Sequence, residues 1–491
     1  MLAPLLPQCR PRLYSTAIVG SGPSAFYLAK SLLLSPSPPS SVSLFDASPA
    51  PFGLIRDGVA PDHQDVKNAA NDYTRIFAAH PQLSFYGNVP VGTASSPGAL
   101  PLSELREFFD VVALASGCQA DRSLPLPVLG PAGAPLPGAN PPAQVLTSRE
   151  LVGFYNGRAG ASPALPAAPG GRPLRAVVIG AGNVSLDASR VLLKAHLGQL
   201  GATDAPSGAV EKLAAIAEGG VEVAVVARRG VGQVKFGIKE LREIFKASPG
   251  SYAFSLPPEE LERSMNAATL AEIEGVRPKE RLQKLLRTIS SSPPPTPPPA
   301  SSLSVRTLLS PAAYLADARG ALRGVRFRPQ VLSGPAGSQA CADDPAAAPV
   351  DVACDLAVLS LGYVSTPLRG LERRHKGGRY EHEAGKVKGE EGVYLAGWVK
   401  RGAEGIVGTN IACAKETARS IVEDFGGKGG GAGEAEVREW LGGLGVEFTD
   451  WGGWERVDEV ERDPARKRCE EQPREKVVDE RELLEIARGA A

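Results

Sequence analysis

The chain has 491 residues, with 54 Lys+Arg against 54 Asp+Glu and a formal net charge of zero. That length holds about two to four domains, and the even charge excludes a general nucleic-acid binder, which would carry a basic excess. The six cysteines and five histidines show no metal-ligand spacing and no run of about 18 apolar residues occurs, so neither a metal site nor a membrane-spanning helix is expected and membrane association is at most peripheral.

The 55 glycines and 44 prolines make about a fifth of the chain, below the roughly 25–30% at which disorder is the default. They predict ordered domains interrupted by loose insertions at 35–41, 125–143, 157–173, 289–303 and 426–434. Residues 1–13 carry Arg10 and Arg12 and no acid, the composition of a mitochondrial transit segment; a frayed N-terminus fits the same residues.

A first strand is expected near Ser15. The run STAIV leads into Gly20-Ser21-Gly22-Pro23-Ser24-Ala25, then a helical pattern, then a second strand ending in Asp46. This is a dinucleotide-binding unit. Gly20 permits the tight turn, Gly22 admits a pyrophosphate to the backbone, and Ala25 lets the helix pack on the strand. The helix start offers free N–H groups to the phosphates. An acid at the end of the second strand accepts from ribose hydroxyls, so Asp46 suits the free ribose of FAD.

The unit recurs at 174–193, where the turn is Gly180-Ala181-Gly182-Asn183-Val184-Ser185. Its second strand, Val221–Ala227, ends in Arg228-Arg229. Arginines cannot accept from a hydroxyl, but they grip a 2′-phosphate, so this unit suits NADP. Further strand-then-glycine units stand at Asp110–Gly117, Asp355–Gly362 and Glu391–Trp398. Late strands of this kind are expected to cross back and complete the flavin sheet. The predicted fold is α/β, with two Rossmann-like, glutathione-reductase-like domains and the NADP domain inserted in the FAD domain. The expected boundaries are 1–13 for the transit segment, 14–119 for the first part of the FAD domain and 120–360 for the NADP domain. The second part of the FAD domain and a C-terminal tail take 361–491.

Charge marks a partner surface. Residues 228–246 hold six basic residues against two acids, and Arg277, Arg281 and Lys284 share a face if their segment is helical. A basic face steers an acidic partner; a solvated amphipathic helix fits the same pattern.

The segments Pro51–Asn68 (PFGLIRDGVAPDHQDVKN), Ala176–Leu193, Arg228–Ile244, Gly397–Gly405 (GWVKRGAEG) and Pro473–Asp479 resemble, in order, those of the mitochondrial NADPH:adrenodoxin (ferredoxin) oxidoreductase family. Three departures stand out: Ala25 for the family's usual Gly, Asp46 for its Glu, and a divergent stretch at 408–417. The resemblance implies an FAD flavoprotein that takes a hydride from NADPH and passes single electrons to an acidic 2Fe–2S ferredoxin, as a monomer in the mitochondrial matrix or on the matrix face of the inner membrane. It puts FAD against Gly20, Gly22, Ser24, Ala25, Asp46, Leu54, Val91, Trp398, Gly405, Ile406 and Val407. It puts NADP against Ala181, Gly182, Asn183, Val184, Arg228, Arg229 and Glu240, with Trp398 and Gly405 at the nicotinamide. His63 and Asp187 become the catalytic candidates, on the route between cofactors and partner. Arg242, Arg277 and Arg281 become the ferredoxin-docking arginines. The downstream pathway stays open among iron–sulfur cluster biogenesis, haem synthesis and cytochrome P450.

Two other classes share such folds. One is a flavoprotein oxidase, monooxygenase or disulfide reductase; the last of these needs a closely spaced dithiol that this sequence lacks. The other is a redox-inactive dinucleotide-binding protein, which would bind no flavin.

Overall fold

The structure, a computed structural model, describes residues 13–92, 99–247, 250–293, 295–371, 379–430 and 433–489. All of the leader-like stretch except Leu13 lies outside these residues.

Ser15–Val19 forms a strand buried along its whole length, as a β-run covered on both faces must be. It pairs in parallel with Ser41–Phe45 on one side and Val111–Leu114 on the other. Leu83–Tyr86 and Val393–Leu395 extend the parallel core, and two short antiparallel strands complete a seven-stranded sheet. Helix Pro23–Leu33 packs on helix Thr409–Phe425, with Ala25, Leu28 and Leu32 in one core with Ala414, Ala418 and Ile421. Each fully buried Leu or Ile there contributes about 1.5–3 kcal/mol.

A second, six-stranded sheet is parallel throughout, in the order Ala253–Ser255, Ser302–Arg306, Val221–Val226, Leu174–Ile179, Leu356–Leu359, Val145–Thr147. The helices Asn183–His196, Ser207–Ile216, Ile238–Ala247 and Arg277–Ser291 share its main core. A third, antiparallel sheet built mainly from Leu309–Ala316, Leu322–Ser333 and Val350–Ala353 joins Val177, Ile179 and Val226 in a separate core. The two sheet systems are joined by a ribbon in which Tyr363 pairs with Asp121 and Val364 with Ala120. The two-unit α/β fold expected from the sequence is the fold observed.

Two expectations need correction. Of the late strands expected to complete the flavin sheet, Val393–Leu395 does so, while Leu356–Leu359 stays in the second sheet, within the 120–360 span expected for the NADP domain. Asp355 accounts for this: it accepts hydrogen bonds from Arg172 and Arg175, which flank the start of strand Leu174–Ile179, and so fixes the parallel register of the two strands. The loose insertions are also shorter than expected. Val128–Leu129 joins the antiparallel sheet, and 289–303 contains the end of one helix and the start of a strand.

The helices Trp451–Arg462 and Glu480–Arg488 return to the first unit, where Trp454, Val457 and Leu483 are buried in the same core as Phe52 and Tyr73. Among the described residues no helix is long and apolar enough to cross a membrane.

Candidate functional site

The first glycine turn is constrained on every side. Gly20 has φ +113°, and a Cβ there would lie 2.7 Å from the Ala115 carbonyl oxygen. A Cβ on Gly53 would come within 3.0 Å of the Gly22 Cα, and one on Gly397 within 1.8 Å of Ser24 Oγ. Ser24 Oγ donates to Asn410 Oδ1 at 3.1 Å. Three distant segments therefore close on one turn, and they carry Leu54, Trp398 and 405–407 with them. No side chain caps helix Pro23–Leu33; Pro23 brings no N–H and Ala25 N–H donates to the Gly22 carbonyl (3.0 Å), so an anion at this helix start would be met by the Gly22 and Ser24 amides.

Asp46 sits at the end of its strand as expected. It accepts from Ser21 N–H (2.7 Å), Ser21 Oγ–H (2.6 Å) and Ser48 N–H (2.9 Å), and so also ties down the glycine turn. Burial raises its carboxyl above the ordinary range, against the pull of those hydrogen bonds. Beside it lies a cavity of about 300 Å³ lined by Gly20, Asp46, Val91, Ser116, Gln119 and Thr366. Ile406 is 67% exposed, an apolar side chain left uncovered next to the turn's partner Asn410. Shape, uncapped amides and exposed apolar surface fit a dinucleotide with a flat ring system.

The second turn repeats the plan. Gly180 has φ +123°, and a Cβ would lie 2.1 Å from the Ser360 carbonyl oxygen. A Cβ on Gly182 would meet nothing within 4 Å, which leaves room for a phosphate. Ala181 accepts from Lys235 N–H (2.8 Å). Asn183 accepts from Gly237 N–H (2.9 Å) and donates to Glu240 Oε1 (3.2 Å). The turn and Glu240 are thus one unit, and Val184 is the second residue of helix Asn183–His196. Gly180 N–H donates to the Val226 carbonyl, which puts Arg228 and Arg229 just beyond this turn. Arg228 is exposed and Arg229 partly so, and neither has a side-chain partner among the described residues.

His63 and Asp187 lie on the seam between the units. His63 Nε2 is 3.0 Å from Glu243 Oε2. Asp187 accepts from Arg190 (2.7 Å), which also donates to Asp62 (2.7 Å); Lys194 pairs with Asp62 as well (2.8 Å). Burial raises the Asp187 carboxyl, while Arg190 and His63 oppose that rise. Asp62 is held well below the usual carboxylate range, because Arg190 and Lys194 outweigh its burial. Burial and the nearby Asp187 push the Tyr155 hydroxyl far up. Asp187 lies at the fifth position of its helix and pairs with Arg190, so the helix-end dipole is a minor part of its role.

Arg242 projects from helix Ile238–Ala247, and Arg277 and Arg281 project four residues apart from helix Arg277–Ser291. The two helices share a core through Leu241, Ile244, Leu282 and Leu286. The three arginines are exposed and have no side-chain partner among the described residues. Glu243, the partner of His63, lies on the same helix as Arg242, turned about 100° from it.

Sequence reasoning missed several residues. Gly53, Gly397 and Asn410 shape the first turn, and the glycines carried a readable signal within PFGL and GWVKRG. Arg190, Asp62 and Glu243 build the seam, but nothing in the sequence pairs them.

No family model matches the chain. It is 32% identical over 487 residues to the mitochondrial NADPH:adrenodoxin oxidoreductase of Arabidopsis thaliana, covering 96% of this chain and 94% of that one. It is 32% identical over 492 residues to the NADPH-ferredoxin reductase FprA of Mycobacterium tuberculosis, covering 97% and 100%. The solved structure of Mycobacterium tuberculosis FprA in complex with NADPH superposes with a TM-score of 0.81 at 30% identity, over 97% of this chain and 100% of that one.

Proposed function

This chain belongs to the NADPH:adrenodoxin (ferredoxin) oxidoreductase family, and from that premise we propose that its electron acceptor is an acidic 2Fe–2S ferredoxin docked on the Arg242/Arg277/Arg281 face. It is an NADPH-dependent flavoprotein reductase with FAD and NADPH as cofactors. The observation that carries the partner reading is the set of three exposed arginines, without side-chain partners among the described residues, on two helices that share a core.

Bound FAD would supply the conversion of a two-electron input into one-electron outputs. The protein's share is binding, orientation and charge. In this reading the amides at the start of helix Pro23–Leu33 hold the FAD pyrophosphate, and Asp46, fixed by Ser21 and Ser48, orients the ribose. Val91, which lines the cavity beside Asp46, would meet the adenosine side, and Leu54, Trp398 and Gly405–Val407 would cover the ring system. Gly182 gives the NADPH pyrophosphate access to the second turn, which Asn183 and Glu240 brace. Arg228 and Arg229 take the 2′-phosphate. His63 Nε2 stands 3.0 Å from Glu243 Oε2 on the route to the partner, and Asp187 balances the charge of Arg190 behind it.

A mitochondrial location, in the matrix or on its membrane face, is supported by the acid-free opening with Arg10 and Arg12. The deciding experiment is NADPH-driven cytochrome c reduction with and without a 2Fe–2S ferredoxin. Ferredoxin-dependent rates are expected; rates indifferent to ferredoxin would sink the partner assignment.

A further inference from the structure

Two buried lysines meet one aspartate where three stretches of chain converge. Lys476, in the tail, has a side chain only 1% exposed. Its ammonium group donates to the Arg56 carbonyl at 2.9 Å and to the Asn156 carbonyl at 2.8 Å, and pairs with Asp204 Oδ2 at 3.1 Å. The three protons are thus matched by three acceptors on separate segments. Lys67 approaches the same aspartate, at 2.7 Å and 2.8 Å, and donates to Asn156 Oδ1 at 3.0 Å.

Each acceptor belongs to a functional segment. Arg56 lies in the short helix Leu54–Asp57, whose first residue is assigned to FAD. Asn156 ends the helix Ser148–Tyr155, which leads from the second sheet's edge strand. Asp204 lies in the loop after the NADP-turn helix Asn183–His196. The tail also grips Arg56 from its other end: Glu461 accepts two hydrogen bonds from the Arg56 guanidinium, at 2.8 Å and 2.5 Å, and one from Val477 N–H at 3.0 Å.

Stability does not explain this arrangement. Burying an ammonium group is unfavourable, and well-packed apolar residues of similar volume commonly serve stability as well or better. What the lysine adds is direction. Its acceptors must stand at fixed distances and angles, which apolar contact does not require. Asp204 faces both ammonium groups, and burial together with the neighbouring Lys476 brings Lys67 down to about 7, which eases the repulsion between the two lysines.

We propose that Lys476 is a positioning residue for hydride transfer: it locks the flavin-side turn at Arg56 to the second-sheet segments at Asn156 and Asp204, and so sets the approach of nicotinamide to flavin. The proposal rests on the assignment of the chain as an NADPH-dependent flavoprotein reductase. Small displacements matter at this step, because a transfer geometry wrong by about 1 Å slows chemistry on the order of a hundredfold.

The test uses the full flavin-bound chain. Lys476→Met keeps the volume and removes the donors; Lys476→Arg restores charge and donors. Val325→Ala, in the antiparallel-sheet core and away from this network, is the control for lost stability. Rapid mixing with NADPH, and with NADPH deuterated at C4, reads the hydride step separately from NADPH affinity. Lys476→Met should slow flavin reduction about tenfold or more and raise the isotope effect, with NADPH Kd within about threefold of wild type. Lys476→Arg should recover part of the rate, and Val325→Ala should lower Tm without slowing the step. Hydrogen exchange of the 54–58 and 150–158 amides should quicken in Lys476→Met. If Lys476→Met does not fold, Asp204→Asn, which weakens the same junction from the other side, takes its place with the same expectations. A lowered Tm with an unchanged hydride rate would overturn the proposal. A wild-type chain that NADPH does not reduce would overturn the reductase assignment instead. Positioning is then judged by exchange, and it fails if the 54–58 and 150–158 amides stay as protected as in wild type.

Discussion

Replacing Arg228 and Arg229 together with alanine isolates one interaction, because neither side chain has a partner among the described residues. No buried acid is left unpaired, so Tm should stay within about 2 °C of wild type. A hydrogen bond to a charged group contributes about 1.5–3 kcal/mol. Both arginines are partly or fully exposed, so solvent screening favours the lower end of that range. Two such contacts then give about 3 kcal/mol, which is roughly 150-fold in NADPH Kd at 1.4 kcal/mol per factor of ten. NADH has no 2′-phosphate, and its Kd should move less than about threefold. Titrating both nucleotides against the flavin-bound protein by nicotinamide fluorescence measures the ratio directly. An NADPH/NADH ratio unchanged by the double substitution would refute the assignment of these residues to the phosphate.

Reversing Arg242 and Arg281 to glutamate should slow ferredoxin reduction about tenfold or more at low salt and leave NADPH–ferricyanide turnover intact; if both activities fall together, the face is not a docking site. Gly180→Ala places a Cβ 2.1 Å from the Ser360 carbonyl oxygen at a positive φ. It should cost about 2–3 kcal/mol and weaken NADPH binding, and a wild-type Tm and NADPH affinity would contradict the packing described. Glu461 is buried, yet Arg56 and Arg474 outweigh that burial and hold its carboxyl at about 2, against an ordinary 4.5. Its folded value is lowered, so the associated stability is whole above about pH 4.5 and is lost as pH falls towards 2. This amounts to about 3 kcal/mol. Glu461→Gln should be less stable near neutrality, with a flatter loss of stability between pH 5 and 2.5 by urea unfolding; an unchanged slope would rule the pairing out.

The glycine turns were legible because their constraints are local. A positive φ at Gly20 or Gly180 and the small residue at Ala25 leave their mark within a few positions. Asp46 and Arg228-Arg229 were legible for the same reason: each ends a strand whose start is visible. Strand Leu356–Leu359 was not, since its choice of sheet depends on Asp355 reaching Arg172 and Arg175, some 180 positions back. The antiparallel sheet that covers the second sheet had no distinctive signal, because its strands resemble any half-buried β-run. Least legible were the pairs Arg56–Glu461 and Lys476–Asp204. A buried charge looks in sequence like any surface charge until its partner is located.

The nesting of the two sheets also orders events on the ribosome. All six strands of the second sheet have been made by residue 359, while the first sheet waits for Val393–Leu395 to cover the edge of Val111–Leu114. At ~5–20 residues per second that wait lasts roughly 15–60 s, with one strand edge unpaired and able to recruit other chains. The NADP-binding turn is therefore complete before the flavin cradle is, although the cradle's glycines are translated first. Stalled nascent chains should retain FAD only once residues beyond 410 have emerged, and retention by shorter chains would contradict that order. Slower synthesis lengthens the exposed interval, and with it the dependence on chaperones during translation.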